Sequence, residues 1–212
     1  MQKEAVIGLF LRDIYLYGYN TLVPTYDAIV FFCSALTDRG EVPAFAKPAI
    51  ERAVELVRQG KAPRLIICGS HPLKIGPRRR KECDVYATYV EARNPELTVA
   101  IKKESESTSI PENWLYLKLC FPELKRIKLV TYKLLLPRVK FFGHKIYGKS
   151  ARLSFETVSA TSGLFAHEVR FLRDAKCILK NMRPGQHSFI EKPGWDALRR
   201  AHHSCPIHPR NK

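Results

Sequence analysis

Tyr26-Asp27-Ala28-Ile29-Val30-Phe31-Phe32 is apolar along almost its whole length, not at alternate residues. A strand with one wet face alternates, whereas a strand covered on both faces does not. Short strands of the second kind belong to parallel sheets with helices above and below. The flanking sequence repeats the pattern. Pro48 opens a predicted helix that runs through Gln59, with Ile50, Ala53, Val54 and Val57 on one face and Gly60 as its stop. Arg64-Leu65-Ile66-Ile67-Cys68 is a second apolar strand and ends in Gly69-Ser70. Lys81 to Arg93 reads as a helix, with Val85, Tyr86, Tyr89 and Val90 inward.

Leu97 to Ile101 is expected to be a third strand, followed by a polar stretch from Lys102 to Ser109. Pro111 suits the first turn of a helix that carries Trp114, Leu115, Leu117 and Leu119. Arg126 to Thr131 and Ala151 to Val158 are expected as strands, Leu134 to Phe142 and Leu164 to Met182 as helices. Strands alternating with helices imply an α/β protein, a Rossmann-like three-layer sandwich around a mainly parallel five-stranded sheet. The expected organisation is an N-terminal helical extension over 1–25, an α/β domain over 26–182 and a basic C-terminal tail over 183–212.

The apolar run Ala5 to Leu11 is too short to span a bilayer and is followed by Arg12 and Asp13. Neither a transmembrane segment nor a secretory signal is expected, and a cytoplasmic location is. The six cysteines have irregular spacing and no C-x-x-C pair, so reduced thiols are expected. Lys and Arg number 36 against 20 for Asp and Glu, a net charge of +16. That excess fits phosphate-bearing partners or anionic membrane surfaces, and equally a merely solvated basic surface.

In an open parallel sheet, ligands bind beyond the carboxyl ends of the strands. Those ends deliver Cys33 and Ser34, then Gly69, Ser70 and His71, then Glu104 to Asn113, then Thr131, Tyr132 and Lys133. The densest group is Glu104-Ser105-Glu106-Ser107-Thr108-Ser109-Ile110-Pro111-Glu112-Asn113. Hydroxyls and amides at a helix N-terminus hold phosphate or carboxylate, and neighbouring carboxylates act as acid, base or cation ligand. The alternative for Ser109 and Glu112 is a capping box. Gly76-Pro77-Arg78-Arg79-Arg80-Lys81 reads as a basic loop near the same cleft, fit to clamp phosphate or simply solvated.

The order of these motifs resembles the YdcF-like family, the group that includes the SanA and ElyC proteins. Arg52 with Glu55, Val57 and Gly60 matches the family's first helix, Cys68-Gly69-Ser70 its Ser-Gly-Gly turn, and Glu82 its helix-opening Glu. Glu104, Ser107, Thr108, Glu112 and Asn113 match E-x-x-S-T-x-x-x-E-N, and Val130, Thr131 and Arg138 match the last motif. The chain departs from the family at Leu135, where a His is usual, at Cys33-Ser34-Ala35, where glycines are usual, and at Ser70.

The resemblance implies a Rossmann-like fold and an anionic, nucleotide-like or phosphorylated small molecule in the cleft, with a hydrolase or transferase as the enzymatic form. An S-adenosylmethionine-type ligand is the implied cofactor. Glu82, Glu104 and Glu112 are then the candidate catalytic residues. Ser34, Arg52, Gly69, Ser70, Ser107, Thr108, Asn113, Thr131 and Arg138 are the candidate ligand contacts. The rival expectation is a non-catalytic basic protein that binds nucleic acid or an anionic membrane. His202, His203, Cys205 and His208 cluster in the tail, but their spacing fits no common zinc finger, and no metal site is assigned.

Overall fold

The computed structural model describes residues 24–70, 73–75, 78–159, 172, 175–176 and 183–185. The expected N-terminal extension, nearly all of the helix expected over 164–182, and the tail cluster of His202, His203, Cys205 and His208 lie outside these residues.

Among the described residues, β1 (Ala28–Phe32) and α1 (Lys47–Arg58) come first, followed by β2 (Leu65–Cys68). A short antiparallel hairpin comes next, β3 (Leu73–Ile75) with β4 (Arg78–Arg80). Then come α2 (Glu82–Glu91), β5 (Ile101–Glu104), α3 (Ile110–Cys120), β6 (Arg126–Tyr132), α4 (Leu136–Tyr147) and β7 (Arg152–Val158). Five of the strands form one sheet in the order β5-β2-β1-β6-β7, and every neighbouring pair is parallel.

Successive residues of β1 point to opposite faces, and both faces are covered. Ile29, Phe31, Leu65 and Ile67 join a core with Ile50, Ala53 and Val54 of α1 and Tyr86 and Val90 of α2. Ala28, Val30, Ile66 and Leu129 join a second core with Trp114 of α3 and Val139 and Phe142 of α4. This two-sided cover is why the β1 run does not alternate. Asp27, the polar residue in that run, accepts from the backbone N–H groups of Lys125 and Arg126 at 2.8 Å each. The Arg126 guanidinium adds two more bonds to it, at 3.0 and 2.8 Å. Asp27 therefore clamps the start of β1 to the start of β6.

Three expected elements are corrected. Leu97 to Ile101 is not a strand. Pro95–Ala100 is a 3-10 helix, and the strand is Ile101–Glu104. Pro95 presets the turn, and pairing begins only where Ile101 meets Leu65 of β2. Lys102 and Lys103 are exposed on this edge strand, which hid it behind a polar sequence. The helix expected over Leu134 to Phe142 is α4, which continues through Gly143 to Tyr147. Gly143 is not a stop. A Cβ there would lie 2.9 Å from Trp114, whose indole N–H donates to the Val139 carbonyl at 2.9 Å. The basic segment read as a loop over 76–81 supplies strand β4 of the hairpin.

Candidate functional site

The strand order reverses at β1, which has β2 on one side and β6 on the other. The chain leaves β1 for α1 on one face and leaves β6 for α4 on the other. The two connections part at the carboxyl ends of β1 and β6, the usual ligand position in such sheets. The Ser34 hydroxyl lies 3.5 Å from the Tyr132 hydroxyl across this point. Tyr86 donates to the Ser34 carbonyl at 3.3 Å. Burial pushes the Tyr132 phenol up to about 12 and the Tyr86 phenol well above its ordinary range. Both are protonated donors at neutral pH.

Polar groups are costly to bury and are normally spread thinly. Here the buried polar side chains among the described residues are Ser70, Glu82, Glu104, Ser107, Ser109, Glu112, Asn113, Thr131, Arg138 and Asn94. All but Asn94 come from the carboxyl ends of the strands or from the first residues of the helices that follow them.

The loop after β5 is the best-defined part. Its entry carboxylate, Glu104, accepts from the backbone N–H groups of Glu106 at 2.6 Å and Ser107 at 2.9 Å. The Ser107 hydroxyl bonds to the other Glu104 oxygen and also meets Oδ1 of Asn113 in α3. Burial raises the Glu104 pKa, and the hydrogen bonds from Ser107 and the backbone only partly oppose this. The loop is tied to the turn after β2, because Ser70 N–H donates to the Ser107 carbonyl at 2.7 Å and Gly69 N–H to the Glu104 carbonyl at 3.1 Å. The predicted capping box is displaced by one residue. Ser109 occupies the N-cap position of α3 but makes no capping bond, and its hydroxyl is buried without a partner. Glu112 instead accepts from the backbone N–H of Thr108 at 2.8 Å and its hydroxyl at 2.7 Å.

Gly69 has φ of +143°, and a Cβ there would sit 2.8 Å from Cys33 Cβ and 3.0 Å from Glu82 Oε2. The glycine therefore makes room for the protein's own Cys33 and Glu82, not for a ligand backbone. Burial, and then the Glu82 charge, push the Cys33 thiol well up. Lys81, at the end of the hairpin, binds the Ser105 carbonyl at 2.8 Å and Glu106 at 3.1 Å, which joins the hairpin to the loop after β5.

The structure thus brings together Gly69, Ser70, Glu82, Glu104, Ser107, Thr108, Glu112 and Asn113. Thr131, next to last in β6, and Arg138, in the first turn of α4, are both buried. Ser34 is half-buried at the end of β1. Arg52 is not brought there. Its guanidinium bonds to Glu156 on β7 at 2.5 Å and to Glu55 at 2.6 Å, at the sheet edge farthest from β5. Sequence reasoning named Tyr132 at a strand exit and Lys81 in the basic segment but missed Tyr86, which it read only as an inward residue of its helix.

Glu104 is not placed to accept from a ligand's hydroxyls, being 1% exposed with both oxygens bonded within its own loop. Among the described residues, no group of three or more His, Cys, Asp or Glu is gathered to hold a metal ion. None of their helices is long and apolar enough to cross a membrane. No protein-family model matches the chain, and no curated protein matches it.

Proposed function

We propose that this chain is a divergent YdcF-like protein that binds an anionic, phosphorylated or nucleotide-like small molecule in the crevice between β1 and β6. The concentration of buried polar side chains at the carboxyl ends of one sheet supports this reading above all else. Glu104 with Ser107 and Asn113, and Thr108 with Glu112, bond to one another, which gives them the part of holding the loop in shape. They are positioning residues. Ser34, Ser70, Thr131 and Arg138 supply hydrogen bonds and positive charge to the ligand. Glu82, buried at the start of α2 beside Gly69, is the candidate carboxylate for acid or base work in a hydrolase or transferase.

Thermal-shift titration with inorganic phosphate, nucleoside mono- and diphosphates, sugar phosphates and S-adenosylmethionine tests the proposal. A ligand at about 100 times its Kd stabilises the fold by about 2.7 kcal/mol, a readable rise in Tm. Ser34→Ala is expected to reduce the shift while the unliganded Tm stays near that of the wild type, and Arg138→Lys to reduce the shift measured from its own unliganded Tm. Equal shifts in wild type and both variants would overturn the assignment. Binding only to long polyanions, with steep salt dependence, would favour a nucleic-acid or membrane partner instead.

A further inference from the structure

Among the described residues, the large apolar side chains left exposed are Phe45, Val99 and Leu119. Val99 precedes β5 and Leu119 lies in the last turn of α3, so both stand at the amino ends of the strands. Phe45 stands at the opposite end of the sheet. It belongs to the connection from β1 to α1, in a short 3-10 turn over Ala44–Ala46 that runs directly into α1. An aromatic residue left 45% exposed forgoes much of the gain of burial.

The turn is anchored on both sides of Phe45. Val42, Pro43 and Ala46 are buried, and Ala46 N–H donates to the Pro43 carbonyl at 2.9 Å. Where the connections from β1 and β6 part, the Phe45 ring lies 6.0 Å from the ring of Tyr132, centroid to centroid, at an angle of 58°. Tyr132 is 5% exposed, and its hydroxyl meets that of Ser34 at 3.5 Å. Rings tilted in this way are in contact but do not stack face on face. Phe45 is thus an aromatic ring held at the rim of the proposed crevice, with Tyr132 as its backing and nearly half of the residue in water.

We infer that Phe45 determines specificity by stacking the planar base of a nucleotide whose phosphate enters the crevice. The inference rests on the crevice reading and narrows its ligand class, from any phosphorylated small molecule to one that carries an aromatic ring. Stacking on a protein aromatic is open to every base, because each has a π-face. The turn therefore selects a nucleotide over a sugar phosphate without selecting among bases. A protein partner fits the position less well. Docking of that kind uses a contiguous apolar patch, and the other exposed large apolar side chains among the described residues are at the far end of the sheet.

Isothermal titration calorimetry on the full chain tests the inference. The probes are the common ribonucleoside 5′-monophosphates, ribose 5-phosphate and inorganic phosphate. Nucleotide is expected to bind about tenfold or more tightly than ribose 5-phosphate. Phe45→Ala and Phe45→Leu should close that gap by weakening the nucleotide alone, and Phe45→Trp should keep it. The leucine variant retains apolar bulk, so it separates stacking from burial and serves if truncation to alanine harms the fold. Equal binding of ribose 5-phosphate and every nucleotide to the wild type would overturn the inference and leave the crevice reading standing. A gap that survives in both Phe45→Ala and Phe45→Leu would remove Phe45 from the site. Binding of none of the probes would sink the crevice reading, and this inference with it.

Discussion

Ser107 holds one hydroxyl proton between two acceptor oxygens, one on Glu104 and one on Asn113. A proton on Glu104 resolves that conflict, and burial raises its pKa in the required direction. The sign of the pH dependence follows. A carboxyl with a raised folded pKa favours the fold below its unfolded value and loses that advantage as pH climbs through the raised value. The stability difference between wild type and Glu104→Gln should therefore shift against wild type as pH rises above the ordinary value of 4.5. Urea titrations across that range check it, and a flat difference would refute it. Gly69 carries the other constraint at this scale. Gly69→Ala places a methyl group against Cys33 and Glu82 on a backbone with φ of +143°. It should cost about 2–3 kcal/mol of unfolding free energy.

At the scale of elements, Gly143 sets two effects against each other. Alanine is the better helix former by about 1 kcal/mol, yet its methyl would press on the Trp114 ring. Packing should win, with Gly143→Ala destabilising by about 1–3 kcal/mol. Gly60→Ala, where a Cβ meets nothing within 4 Å, should cost only about 1 kcal/mol of backbone strain. Denaturant midpoints of the pair separate crowding from strain. The same contrast explains what could be read from the residues alone. β1, β2 and β6 were legible because covered parallel strands write their burial directly as Ile, Val, Leu and Phe. β5 was not, because an edge strand with exposed Lys102 and Lys103 looks like a loop until β2 lies beside it. In the site, the grouping of Glu104 with Ser107, Thr108, Glu112 and Asn113 was visible as local sequence. Whether Ser109 or Glu112 would cap α3 was not, because Thr108 competes for the same carboxylate. The contact of Ser34 with Tyr132 joins residues far apart in the chain, and only the register of β1 on β6 brings their strand ends together.

For the whole molecule, the excess of 36 basic over 20 acidic residues sets the response to salt. Surface ion pairs weaken with screening, but so does repulsion among the many unmatched cations. With a net charge of +16, repulsion should dominate. The Tm is then expected to rise between about 20 and 200 mM sodium chloride, and calorimetry showing a fall would mean that the paired charges govern. The sheet order has a further consequence, which concerns how the protein is made. β1 stands at the centre, with Ala28 beside Ile127, and the ribosome must synthesise everything from α1 to α3 before that neighbour exists. During this interval the nascent chain can assemble β1, β2 and β5, but one edge of its most apolar strand stays open to any other strand in reach. Chaperone demand and aggregation in the cell should therefore peak before β6 emerges, and release-stalled fragments ending ahead of Arg126 would be the form in which to see it.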